Sequence, residues 1–154
     1  MHIFRALFKM LVNKDWQAII EERLANFDDE KIGEVGGLSL HVSSFQMDDF
    51  MTLDFTILGD VNLKTLRGAI IQFELDNSRL ESYNSNNLEI DSDYVSGANF
   101  GFTKIDLEVD NEMKKMILSK RVHFIKFIIG KTEIKIKLLD PFALKKVIDS
   151  DILT

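Results

Sequence analysis

The sequence predicts an α+β fold, mainly antiparallel β: about seven or eight strands in a sandwich or partial barrel, with an N-terminal helical segment and a C-terminal helix. Short stretches of period-two apolar alternation recur between residues 38 and 139. Helical spacing is confined to the two ends and to one stretch near residues 112–118. The regular strand–helix–strand alternation of a parallel sheet is missing, which argues against a Rossmann or TIM-type fold. At 154 residues, with no linker and no internal repeat, the chain reads as one domain, 1–154.

Residues 1–27 read as the helical segment. Ile3, Phe4, Leu7, Phe8, Leu11 and Val12 form one apolar stripe; Asn13-Lys14-Asp15 interrupts it; Trp16, Ile19, Ile20, Leu24 and Phe27 resume it. The expectation is two short helices or one bent helix. Asp28-Asp29-Glu30 with Gly33, Gly36 and Gly37 reads as the exit loop.

The β body is expected over residues 38–139. Leu38, Leu40 and Val42 alternate with polar residues, as do Met51, Leu53, Phe55 and Ile57, and Gln46–Asp49 joins the two strands. A third strand spans 66–75, with Ala69, Ile71, Phe73 and Leu75 on one face, and a weaker one spans 79–83. The polar run 84–87 is a loop, and a short strand follows at 88–91. Residues 96–101 read as a loop or bulge before the strand formed by Thr103, Ile105, Leu107 and Val109. Asn111 is placed to cap a helix over 112–118 that turns Met113, Met116 and Ile117 inward. Residues 121–139 form a hairpin about Gly130-Lys131, pairing Ile129 with Thr132, Phe127 with Ile134, Ile125 with Ile136 and His123 with Leu138. His123 then falls on the inner face, where a histidine is most often part of the core. Asp140-Pro141 starts the final helix, 141–151, which buries Phe142, Leu144, Val147 and Ile148.

Composition excludes several chemistries. The chain has no cysteine, which removes disulfides, thiolate metal sites and cysteine nucleophiles together. The start MHIFRALFKMLV is broken by Arg5 and Lys9, so it reads as too short for a signal sequence, and no run nears the ~18 apolar residues that span a bilayer. The expected location is the cytoplasm.

The charge is sharply divided. Residues 15–112 carry 6 Lys/Arg against 21 Asp/Glu, a net of −15, whereas residues 113–146 carry 10 against 2, a net of +8. In the hairpin register Lys126, Lys135 and Lys137 share one face with Phe124, a phosphate-facing surface or a counterweight to neighbouring acidic strands. The pI of 5.1 argues against nucleic acid. Phe4 and Phe8 mark the apolar side of an N-terminal helix able to lie on a membrane or in a partner's groove. Asp91-Ser92-Asp93 resembles the opening of a calcium loop, but Val95, Ser96 and Phe102 stand where that motif needs an acid or amide, a glycine and a final glutamate. Asp48-Asp49 are adjacent rather than opposed, so no glycosidase-like pair is indicated.

The expected function is therefore non-enzymatic: a protein-binding module with an acidic surface, an inhibitor or immunity-type protein for a basic partner. Asp48, Asp49, Asp91, Asp93, Lys126, Lys135, Lys137, Phe4 and Phe8 are its candidate contacts, with no cofactor, no metal and no catalytic residue assigned. The alternatives are a membrane-surface adaptor that uses the N-terminal helix with the basic hairpin, or a barrel that holds a small apolar ligand.

Overall fold

The computed structural model describes residues 16–25 and 27–152. Helix α1 covers residues 16–25. The strands follow as β1 (Glu30–Val35), β2 (Leu38–Met47), β3 (Phe50–Gly59), β4 (Lys64–Thr65), β5 (Ile70–Glu74), β6 (Leu80–Asn84), β7 (Ile90–Asp91), β8 (Tyr94–Val95) and β9 (Phe100–Val109). Helix α2 (Asn111–Ser119), strands β10 (Phe124–Ile129) and β11 (Thr132–Leu138), and helix α3 (Ala143–Ile152) complete the order. Among the described residues no helix is long and apolar enough to cross a membrane.

Nine strands form one antiparallel sheet in the order β6-β5-β10-β11-β1-β2-β3-β9-β8; β4 and β7 pair separately. The sheet curls into a half-barrel. Phe55 on β3 and Phe127 on β10 are four strands apart, roughly 19 Å in a flat sheet. Their rings nevertheless meet edge-on with centroids 5.5 Å apart. The core lies on the concave side, where alternate residues of each strand point inward: Leu53, Phe55 and Ile57, Ile71 and Phe73, Ile125 and Phe127 are fully buried. Met113 and Ile117 of α2 and Leu144, Val147 and Ile148 of α3 belong to the same core.

The segment after β6 draws the curl further round. Asn86 N–H donates to Asp106 O at 2.7 Å, Asp106 N–H donates to Asn87 Oδ1 at 2.9 Å, and Asn87 Nδ2 donates to Lys104 O at 3.1 Å. These bonds occupy backbone groups of β9 on the side away from β3. Ser92 anchors the next step: its buried hydroxyl accepts from Leu63 N–H at 2.6 Å and bonds Thr103 Oγ1 at 2.8 Å.

The hairpin forms in the expected register, with Lys126 opposite Lys135 and Ile129 opposite Thr132. Gly130 takes the left-handed φ of +60° that a two-residue turn with glycine first requires. The faces expected for Ala69, Ile71, Phe73 and Leu75 are buried as well.

Several boundaries differ. The expected exit loop is largely strand β1, which pairs with both β2 and β11. Its glycine conceals it: a Cβ at Gly33 would lie 2.8 Å from Lys137 O and 2.8 Å from Ile136 Cγ2, so close strand approach excludes a side chain there. The expected strand 66–75 shortens to β5, Ile70–Glu74, and the two-residue strand β4, Lys64–Thr65, lies just before it. Asp110, rather than Asn111, caps α2, accepting from Met113 N–H at 2.8 Å. Asp110→Ala is expected to cost about 1 kcal/mol, read as a lower urea midpoint with unchanged slope. Asp140 does receive Phe142 N–H at 2.8 Å at the last helix start, but Phe142 itself is 39% exposed rather than buried, and Ala143 is buried beside it. His123 is not a core residue either. It is half-exposed and bonds Asp76 Oδ1 at 2.6 Å, beside Arg121, which donates to Asp76 Oδ2.

Candidate functional site

The face of β2, β3 and β9 turned away from the core carries an acidic cleft. Alternation places Ser43, Asp54 and Asp106 in one transverse row, His41, Thr56 and Lys104 in the next, and Phe45, Thr52 and Glu108 in a third. Asp54 and Asp106 are therefore directly opposed on neighbouring strands, an arrangement that like charges disfavour.

The chain leaving α1 forms the other wall. Trp16 lies against Gly97, its indole ring filling the space that a Cβ there would need. Arg23 bonds Asp93 at 2.6 Å, and its guanidinium stands 5.4 Å from the Phe102 ring. Phe27 then meets His41 edge-on at 5.2 Å, and the His41 Nδ1 lies 3.4 Å from Asp29 O. Burial is the main reason that the His41 imidazole titrates below its usual range. The result is a cleft of about 400 Å³ lined by Phe27, Asp28, Asp29, Ser43, Asp54, Thr56, Lys104 and Asp106. Among the described residues Lys104 is thus the single basic one lining the cleft, against four carboxylates.

Two features of the cleft are energetically unfavourable as they stand. Desolvation, and then the charge of Asp106, push the Asp54 carboxyl up to about 6; below that pH its proton is held in a hydrogen bond to Asp106. Thr56 is 2% exposed, and its hydroxyl has no hydrogen-bond partner among the described residues. A buried hydroxyl without a partner costs about 1–3 kcal/mol.

The residues singled out in the sequence do not assemble into one site. Asp48 and Asp49 make the exposed β2–β3 turn, with Asp48 at a left-handed φ of 53°. Asp91 and Asp93 lie beyond the other end of β3, about 30 Å away along a ten-residue strand. Asp91 Oδ1 accepts from Asp93 N–H at 3.2 Å, Asp93 binds Arg23, and Ser92 between them is buried. That loop is a locally bonded turn. Among the described residues no group of three or more histidines and acids is arranged to hold a metal ion.

The basic hairpin face is largely matched by acids. Lys126 lies 3.7 Å from Glu133, Lys135 lies 3.4 Å from Glu74 and 4.4 Å from the Phe124 ring centroid, and Lys137 stands opposite Glu34. Phe4 and Phe8 lie outside the described residues. Phe45 and Phe50 were not singled out, yet they are 57% and 62% exposed and belong to the same outward face as Asp54. The readable signal was an aromatic at an outward position of each strand, flanking a turn. Asp54 and Asp106 were readable as outward residues, but not as neighbours.

No family model, curated protein or solved structure matches the chain.

Proposed function

We propose that the chain is a non-enzymatic protein-binding module that receives a basic partner on the outward face of β2, β3 and β9, as an inhibitor or immunity-type protein does. One observation carries the reading: a cleft with four carboxylates and one lysine shares its face with two exposed phenylalanines. Buried aromatic anchors supply much of the energy of protein interfaces, and opposite charge speeds encounter and fixes orientation. A surface that is acidic, concave and edged by aromatics suits a protein that offers both a cation and an apolar contact. Membrane attachment through the hairpin draws less support, because Lys126 and Lys135 already face Glu133 and Glu74. An apolar ligand within the barrel draws less as well, since Phe55, Phe73 and Phe127 fill the interior.

Capture experiments with the full chain test the reading. The partner is expected to be retained at low salt and released as salt rises. Phe45→Ala with Phe50→Ala, and separately Asp28→Asn with Asp29→Asn, are each expected to weaken capture about tenfold or more at unchanged melting temperature. Equal retention by all variants would move the interface elsewhere.

A further inference from the structure

We infer that the cleft is a receptor for one guanidinium group, an arginine side chain of the basic partner, with Asp54 and Asp106 as its forked floor. The inference deepens the protein-binding reading and rests on it.

The floor is built for a fork. Asp54 and Asp106 stand side by side in register, and among the described residues neither is ion-paired with a lysine or arginine. Apart from Lys104, the described residues that line the cleft around them bring further negative charge or none: Asp28 and Asp29 from the segment after α1, Ser43 from β2 and Thr56 from β3 itself. Lys104, one row along β9, offsets this only in part, and His41, which feels the charge of Lys31, lies beside Asp29. Acidity alone would not specify a ligand. The buried Thr56 hydroxyl does more, because Thr56 lines the cleft and its hydroxyl has no hydrogen-bond partner among the described residues. A guest that brings several N–H donors satisfies it together with the carboxylates.

Guanidinium fits better than the other cations. A metal ion would need a cluster of ligands that the described residues do not form. An ammonium has three donors in a small point charge, whereas a guanidinium has five in a plane that matches paired carboxylates. Its flat face also suits the Phe27 ring on the cleft wall. Entry of the guest displaces the proton that Asp54 shares with Asp106, so binding releases a proton and strengthens as pH rises. Between pH 5 and pH 7 the gain is about tenfold for a carboxyl that titrates midway between them.

The probes are N-acetylarginine amide, N-acetyllysine amide and the uncharged N-acetylcitrulline amide, each titrated into the full chain and followed by NMR. The arginine compound is expected to shift the amides of Asp29, Asp54, Thr56, Lys104 and Asp106 saturably, and to bind about tenfold more tightly at pH 7 than at pH 5. Citrulline is expected to leave them unmoved. Thr56→Val should weaken arginine binding severalfold, and Asp54→Asn should flatten its pH dependence. Equal shifts from lysine or citrulline, or shifts scattered over the surface, would overturn the inference. Capture that depends on Phe45 and Phe50 without any arginine effect would remove the guanidinium receptor and leave the protein-binding reading standing. Arginine binding at the cleft with no face-dependent partner would do the reverse.

Discussion

Phe127→Ala is expected to destabilise the protein by about 3–5 kcal/mol, read as a large fall in the urea midpoint. The ring is fully buried and meets Phe55 from the opposite side of the curled sheet. It sits where strands far apart in the sheet come into contact, so removing it withdraws apolar burial from both walls at once. The backbone on either side is held by its own ladder, with β5 and β11 on the flanks of β10 and β2 and β9 on the flanks of β3. Neither wall can easily relax into the space, and a cavity that cannot collapse retains its full cost. Phe124→Ala on the outward face supplies the control and should cost under about 1 kcal/mol. A double-mutant cycle with Phe55→Ala should return a coupling of about 0.5–1.5 kcal/mol. A loss below about 1 kcal/mol for Phe127→Ala would mean that β3 and β10 do not meet across the core.

Much of this architecture is written in local patterns. The hairpin was legible to the exact register because Gly130 allows one tight turn and the apolar residues flanking it alternate in phase. β1 was hidden because the residue that lets it approach β11 is also the residue that reads as loop. β4, β7 and β8, with two residues each, hold too little alternation to be seen. Closure of the curl depends on Asn86 and Asn87 reaching β9, a contact between segments for which sequence provides no periodic signal. The candidate site failed to appear for the same reason. Asp54 and Asp106 each look like an ordinary outward residue of an alternating strand, and only their placement in adjacent strands makes them a pair. The divided charge likewise resolves in three dimensions: part of the basic segment faces Glu74 and Glu133, leaving the acids of β3, β9 and the α1–β1 segment without equivalent counterions among the described residues.

Asp54→Asn is expected to stabilise the protein above pH 6, by about 1–2 kcal/mol after allowance for solvent screening of a half-exposed group. The folded state raises this carboxyl from 3.8 to about 6, chiefly by desolvation and then by the charge of Asp106. A raised folded pKa favours the protonated native state. The stabilising effect is therefore fully present below pH 3.8 and is lost as pH rises through about 6. Asparagine keeps the neutral form at every pH and retains a donor for Asp106. Wild type and variant should accordingly be similar near pH 4, diverge between pH 4 and 6, and differ by a constant amount above that, as urea melts at half-unit intervals will reveal. A difference independent of pH would place the proton elsewhere. A stabilised variant that also loses the pH dependence of arginine binding would tie the repulsion in the fold to the affinity of the cleft. The opposed carboxylates weaken the isolated fold in the neutral range, and a cationic guest relieves that repulsion. Such a trade between stability and binding is expected where a surface is shaped for a ligand rather than for its own packing.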